Sequence, residues 1–284
     1  MKATRDHTKA RLAAWITAGG LLLCPAVSRG GDLAAVLSSN SGPYAEAYAA
    51  FKAELGLPVD LYDLSKTGTE APQEQVYAAV FGAKAAALGY PAGSHIVYAL
   101  TPVTIRSRLW NEISMVPAPE PAIAAYKGLQ PGLKRLAVFW TAYPGEQYLS
   151  DLKEAGKKAG IEVISSKLKS PDSFPDRLRR LMGSMDAFWL MPDPALITQS
   201  SIMVLASFSC DNSIPFYAPT SALVTSGATA SYAPEFQEAG AAAARILLQM
   251  RNGTRVQQVT YVNKVSLRVN ADAAEKCRWP INRK

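Results

Sequence analysis

Short apolar runs alternate along the chain with stretches whose apolar positions recur at helical spacing, and the alternation occurs twice. In the first half, Asp32 to Ser39 (DLAAVLSS) reads as a strand, Tyr44 to Leu55 as a helix and Val59 to Ser65 as a second strand. Val76 to Gly82, the short helix AKAAAL and a strand over His95 to Leu100 continue it. The second half restarts after Gln130-Pro131-Gly132. Lys134 to Trp140, Ile161 to Leu168, Asp186 to Asp193 and Ile214 to Pro219 read as strands. Helices are predicted between them over Glu146 to Gly160, over Ser173 to Gly183 and up to about Cys210. Strands alternating with helices make βαβ units and mainly parallel sheets, so the pattern predicts an α/β chain of two doubly wound, Rossmann-like lobes. The link between Ser65 and Val76 is short for a right-handed crossover, and if both strands share a sheet its helix is vestigial.

The run SGATASYAPEFQEAGAAAARIL, Ser226 to Leu247, is a loop of small and hydroxyl residues closed by Tyr232 that leads into a helix rich in alanine. Such a helix suits close packing against other backbone.

The first segment follows neither pattern. Lys2, Arg5, Lys9 and Arg11 precede an apolar run from Leu12 to Cys24, then PAVSRGG, which together read as a secretory signal peptide over residues 1–28. Gly19 and Gly20 interrupt the run, and it falls short of the ~20 apolar residues of a membrane span. Leu23 before Cys24 departs from a lipoprotein cleavage signal, so the expected product is a soluble extracytoplasmic or periplasmic chain beginning near Arg29.

Composition changes the picture little: 284 residues, 49% apolar and 19% charged, describe one or two globular domains. The formal charge of +7 falls to +4 without residues 1–28, which hold four basic side chains and Asp6. The remaining basic residues lie on helix faces without interleaved aromatics, which argues against a nucleic-acid partner. Cys210 and Cys277 remain, either as a bridged pair or as two buried thiols.

Chemistry for catalysis is sparse. His95 is the one histidine after the signal segment, at the entrance to a buried strand with no nucleophile near it in sequence. The cysteines and histidine lack zinc-site spacing, SSNSGPY stands where a glycine-rich phosphate loop would follow the first strand, and Asp193 has no matched second carboxylate. No catalytic residue, metal or cofactor is expected, and the chain is read as a binding protein rather than an enzyme. Open α/β sheets bind ligands beyond the carboxyl ends of their strands. The residues so placed are Ser38, Ser39, Asn40, Gly82, Ala83 and Thr101 in the first lobe, with Trp140, Thr141, Asp193, Thr220 and Ser221 in the second. Hydroxyls there can hold a carboxylate, and Trp140, Tyr143 and Tyr232 can stack on an apolar body. Each also fits ordinary capping or turn chemistry.

Ile113 to Trp140, Met185 to Asp193, Ile214 to Leu247 and Val265 to Ile281 resemble the extracytoplasmic substrate-binding proteins of ABC importers with the type I periplasmic-binding-protein fold, in particular the tryptophan/tyrosine-type branch. The resemblance implies three chain crossings between lobes, near Pro117, near Ser231 to Ala233 and near Arg255. Lobe one then comprises residues 29–116 and 232–254, and lobe two 117–231 and 255–284. It implies hinge closure on a small-molecule ligand, amino-acid-like or aromatic and apolar, by a monomer that serves an ABC permease. A membrane sensor kinase is the alternative partner, and a degenerate interaction protein the alternative role. Tyr232 would stand in a hinge at the cleft, and Cys210 and Cys277 would share lobe two, where they could pair. The sequence departs from the family at Ala83, where Ser or Thr is usual, and in TSALVTSG after FYAP, which carries no acidic residue.

Overall fold

Residues 32–74, 76–102 and 110–282 are described by the structure, a computed structural model; the expected signal segment lies outside them. In chain order the strands are β1 (Leu33–Leu37), β2 (Asp60–Asp63), β3 (Tyr77–Phe81), β4 (His95–Ala99), β5 (Trp110–Ile113) and β6 (Arg135–Trp140). They continue as β7 (Glu162–Lys167), β8 (Ala187–Leu190), β9 (Phe216–Ala218), β10 (Ala230–Pro234), β11 (Val259–Thr260) and β12 (Val265–Val269). The helices are α1 (Gly42–Leu55), α2 (Ala83–Ala86), α3 (Pro119–Leu129), α4 (Glu146–Lys158), α5 (Phe174–Leu181), α6 (Gln199–Asp211), α7 (Phe236–Arg251) and α8 (Ala271–Lys276). None of them is long and apolar enough to cross a membrane.

Two six-stranded sheets result, ordered β11-β5-β4-β3-β1-β2 and β12-β10-β9-β8-β6-β7. The first is parallel throughout, and the second is parallel except for β12, which runs antiparallel to β10 at its edge. The predicted two-sheet α/β architecture is present. The link from β2 to β3 carries no helix among the described residues, as its length requires.

Period-two alternation places each strand residue on one of two covered faces. In β6, Leu136, Val138 and Trp140 pack with Tyr126 of α3 and Leu149 and Leu152 of α4, while Ala137 and Phe139 pack with Phe174 and Leu178 of α5 and Ile202 and Leu205 of α6. In the first sheet, Leu33, Ala35 and Leu37 lie under α1 and α7, and Ala34 and Val36 face the α2 side. The alanine-rich α7 packs along α1 so closely that a Cβ on Gly240 would stand 1.9 Å from the Ala47 carbonyl oxygen.

The chain passes between sheets three times. The first passage runs through residues 114–118, Pro117 among them, between β5 and α3. The second comes later than expected near Ser231 to Ala233, because β10 keeps pairing with β12 through Pro234, and falls at Glu235. The third also comes later than Arg255. The two-residue β11 still pairs with β5 in the first sheet, so the passage runs through residues 261–264. Cys210 at the end of α6 and Cys277 after α8 form a disulfide across 67 residues, both on the second sheet's side and next to the buried Trp279.

Candidate functional site

The carboxyl ends of β1, β3 and β4 form the first sheet's contribution. Ser38 N–H donates to the Phe81 carbonyl at 2.9 Å, and Ser38 Oγ accepts from Ala85 N–H at 3.0 Å, so Ser38 ties the β1 end to α2. Gly82 holds φ at 92°, and any Cβ there would meet Ser38 Oγ and Tyr44 at 2.6 Å; glycine is what lets these two loops touch. Ala83 opens α2 half-buried. Thr101 is buried and its hydroxyl donates to the Ala99 carbonyl. The hydroxyls of Ser39 and Ser41 meet at 2.6 Å beside the exposed Asn40, whose N–H donates to Asp63 Oδ1. The Ser65 hydroxyl donates to the same oxygen at 2.6 Å, and it is the largest of the hydrogen bonds that hold Asp63 below the usual carboxylate range. Lys84 donates its ammonium to the Leu64 carbonyl at this rim. Ser39, Asn40, Ser41 and Lys84 are therefore the polar groups this end offers to solvent.

On the second sheet the structure corrects several expectations. Trp140 is 2% exposed, because it shares strand parity with Leu136 and Val138 and points into the α3–α4 core. Its Nε1–H donates to Ser165 Oγ at 2.9 Å and the Lys167 ammonium lies 4.5 Å from its ring centroid, so it offers no face to a ligand. Asp193 is buried as well: the Thr141 hydroxyl donates to one carboxylate oxygen and Ala195 N–H to the other at 2.9 Å. The pair Thr141–Asp193 thus joins the ends of β6 and β8, and the carboxylate acts first as a turn former. Tyr232 lies within β10 rather than in a hinge loop, edge-on to Tyr126 with ring centroids 6.4 Å apart. Thr220, half-exposed, precedes the 3₁₀ turn Ser221–Leu223 after β9. His95 stacks on Tyr77 at 4.7 Å in a strand-to-strand contact.

Tyr143 is a strut between the sheets. It is 2% exposed, and its hydroxyl accepts from Met115 N–H at 2.8 Å. Glu112 of β5 is hydrogen-bonded to the same Tyr143 side chain, and burial raises its pKa to about 7 against the opposing pull of that bond. Tyr148 of α4 donates to the Pro117 carbonyl at 2.9 Å, and Tyr261, in the third passage, packs near it with centroids 6.4 Å apart. A tyrosine cluster with one carboxyl therefore surrounds the passages. Sequence reading missed Glu112, although a lone carboxylate between Trp110 and Ile113 was the signal.

The two sheets also share an open pocket of about 630 Å³, lined by Glu46 of α1, by Thr220, Ser221 and Thr225 after β9, by Glu235 in the second passage and by Arg268 of β12. Elements on the first sheet's side reach it through Glu46 of α1 and Phe236 and Gln237 of α7. Of these residues the strand-end rule had found Thr220 and Ser221.

Residues 115–282, more than half of the chain, match the family described as ABC transporter substrate binding protein. A tyrosine-binding protein of Clostridioides difficile (strain R20291) is 22% identical over 150 residues, which are 51% of this chain and 43% of that protein; the chain thus spans less than half the length of this relative. Among solved structures, the ABC domain in complex with L-Trp from Streptococcus pneumonia superposes with a TM-score of 0.61 at 14% identity, over 88% of this chain and 96% of the other. The ligand-free, open structure of a substrate binding protein with adhesive properties from Clostridium difficile does so at 0.61 and 15%, over 87% and 94%. A periplasmic binding ribose operon repressor protein from Lactobacillus acidophilus reaches 0.52 at 12%, over 82% and 96%, so the fold extends to regulators. By the extent of the family match and by its two mainly parallel sheets, this chain belongs to the ABC transporter substrate binding protein family and has the type I periplasmic-binding-protein fold.

Proposed function

We propose that this is an exported solute-binding protein that closes two lobes on a small amino-acid-like ligand with an aromatic or apolar body and delivers it to an ABC importer. The observation that carries the reading is a pocket lined both by residues beyond the carboxyl end of β9 and by Glu46 of α1 on the first sheet's side, with the sheets joined by three narrow passages. Such passages are where hinge motion is absorbed. The tyrosine-binding relative and the L-Trp-bound neighbour support an aromatic amino acid as the first class to try. The Cys210–Cys277 bridge supports an oxidising compartment, in agreement with a signal segment over residues 1–28.

The test is a thermal-shift screen of residues 29–284 against amino acids, aromatic metabolites, short peptides, sugars and sterol-like lipids. A ligand at 100 times its dissociation constant stabilises the native state by about 2.7 kcal/mol, enough to raise the unfolding midpoint visibly. The expected result is a saturable shift with an amino acid or aromatic metabolite. No shift across the panel, with the protein folded, would overturn the reading.

A further inference from the structure

Two of the three passages meet at one carboxyl. Glu112 stands near the end of β5, two residues before the first passage, and is partly buried. Its backbone N–H donates to the Gln258 carbonyl at 2.7 Å, which fastens it to the chain entering β11. Its side chain reaches across to the second sheet's side, where it is hydrogen-bonded to Tyr143 in the loop between β6 and α4. The Tyr143 hydroxyl also takes the Met115 N–H, and Tyr148 of α4 donates to the Pro117 carbonyl, so two tyrosines from the second sheet's side grip the first passage. Tyr261 of the third passage packs near Tyr148 and lies within electrostatic reach of Glu112.

Among the described residues, the groups facing Glu112 supply no positive charge. β4 sets the buried Tyr98 opposite it and β11 sets Val259, while α7 packs on the other face of β5, that of Ile113. The β6–α4 loop contributes Tyr143 and the third passage Tyr261, on which Asp151 of α4 also acts. What shifts the carboxyl is burial, which raises its pKa to about 7, and the Tyr143 bond, which opposes the rise. A neutral carboxyl suits this cluster; a charged one is drawn toward water.

We propose that Glu112 and Tyr143 form a proton-operated latch across the first passage. With the carboxyl protonated, the β5 end stays joined to the β6–α4 loop; with it ionised, the joint loosens and the passage opens to water. The device couples hinge freedom to ambient pH. It goes beyond the ligand reading and works without a ligand, so either can fail while the other stands.

The latched form binds the proton more tightly than an open form in which water returns the carboxyl to its ordinary 4.5. The latch is therefore fully held below about pH 4.5 and is released progressively as pH rises to about 7. Opening of the passage should be about 30-fold more frequent at pH 8 than at pH 5.5.

The experiment follows amide hydrogen exchange of the unliganded protein between these two pH values, corrected for the intrinsic pH dependence of exchange, in wild type, Glu112→Gln and Tyr143→Phe. In wild type the protection of residues 112–118 should fall about 30-fold. It should stay below the protection of β6 and β8 throughout, because the passage opens without unfolding of the sheets. Glu112→Gln keeps a neutral side chain and should hold the protection level across the range. Tyr143→Phe removes the bond that opposes the rise in pKa, so its protection, lower throughout, should go on falling above pH 7. Wild-type protection of 112–118 that ignores pH overturns the latch, and so does an equal fall in Glu112→Gln, which assigns the titration to another group. Protection of 112–118 equal to that of β6 and β8 overturns it as well, since the passage then opens only when the molecule unfolds. A fall in Tyr143→Phe that ends at the wild-type pH does so independently of the Glu112 variant.

Discussion

Glu112 shows how burial at the passages changes a single residue's chemistry. Its pKa is raised from 4.5 to about 7 by desolvation, so the folded protein binds a proton in a pH range where the unfolded chain does not. The stability this contributes is fully present below about pH 4.5 and is lost as pH rises through 7. Glu112→Gln keeps a neutral side chain there and should be more stable than wild type at pH 8, on the order of 2 kcal/mol, with the difference vanishing near pH 4. Urea denaturation at the two pH values measures it, and equal differences at both would contradict the assigned environment. The residue scale is also where the sequence was least legible. Proximity to a strand's carboxyl end located Ser39, Asn40 and Thr220 at exposed or half-exposed rims, but the same rule selected Trp140, Asp193 and Thr101, which are buried. Strand parity with Leu136 and Val138 already pointed Trp140 inward. The Thr141–Asp193 contact depends on how two strand ends are spaced, which no single stretch of sequence encodes.

Among the elements, the pairing of α1 with α7 is the one most plainly written in the sequence. The run AGAAAAR leaves no side chain larger than a methyl between Ala239 and Ala244, and the buried face of α7 consists mainly of Ala239, Gly240, Ala242, Ala243 and Ala244. Gly240 sets the approach, since its missing Cβ would overlap the backbone of Ala47. An alanine there would be favoured by helix propensity by ~1 kcal/mol, yet it must push the two helices apart. Gly240→Ala should therefore destabilise the protein by about 2 kcal/mol, read from its denaturation midpoint; a gain in stability would show that the helices are less tightly joined than described. The central strands β1, β3, β4, β6, β8 and β9 were legible because their apolar runs are bounded by turn residues. The strands β5, β10, β11 and β12 were not. β11 is two residues long and takes its pairing from the distant β5, and β12 lies on an open edge with Leu267 and Arg268 exposed.

For the whole molecule, two mainly parallel sheets are joined at residues 114–118, at Glu235 and at residues 261–264, and the proposed hinge closure would turn on these passages. The α/β class and the twofold repeat followed from alternating periodicity alone. The passage points did not, because short pairings such as β11 with β5 extend each sheet past the composition boundary. The central claim is closure on a ligand, and small-angle X-ray scattering of residues 29–284, with and without a saturating ligand from the screen, tests it most directly. The account predicts a smaller radius of gyration and a shorter maximum dimension when the ligand is bound, with the mass unchanged. Superimposable scattering curves at proven saturation would contradict closure and leave a rigid two-sheet binder in its place.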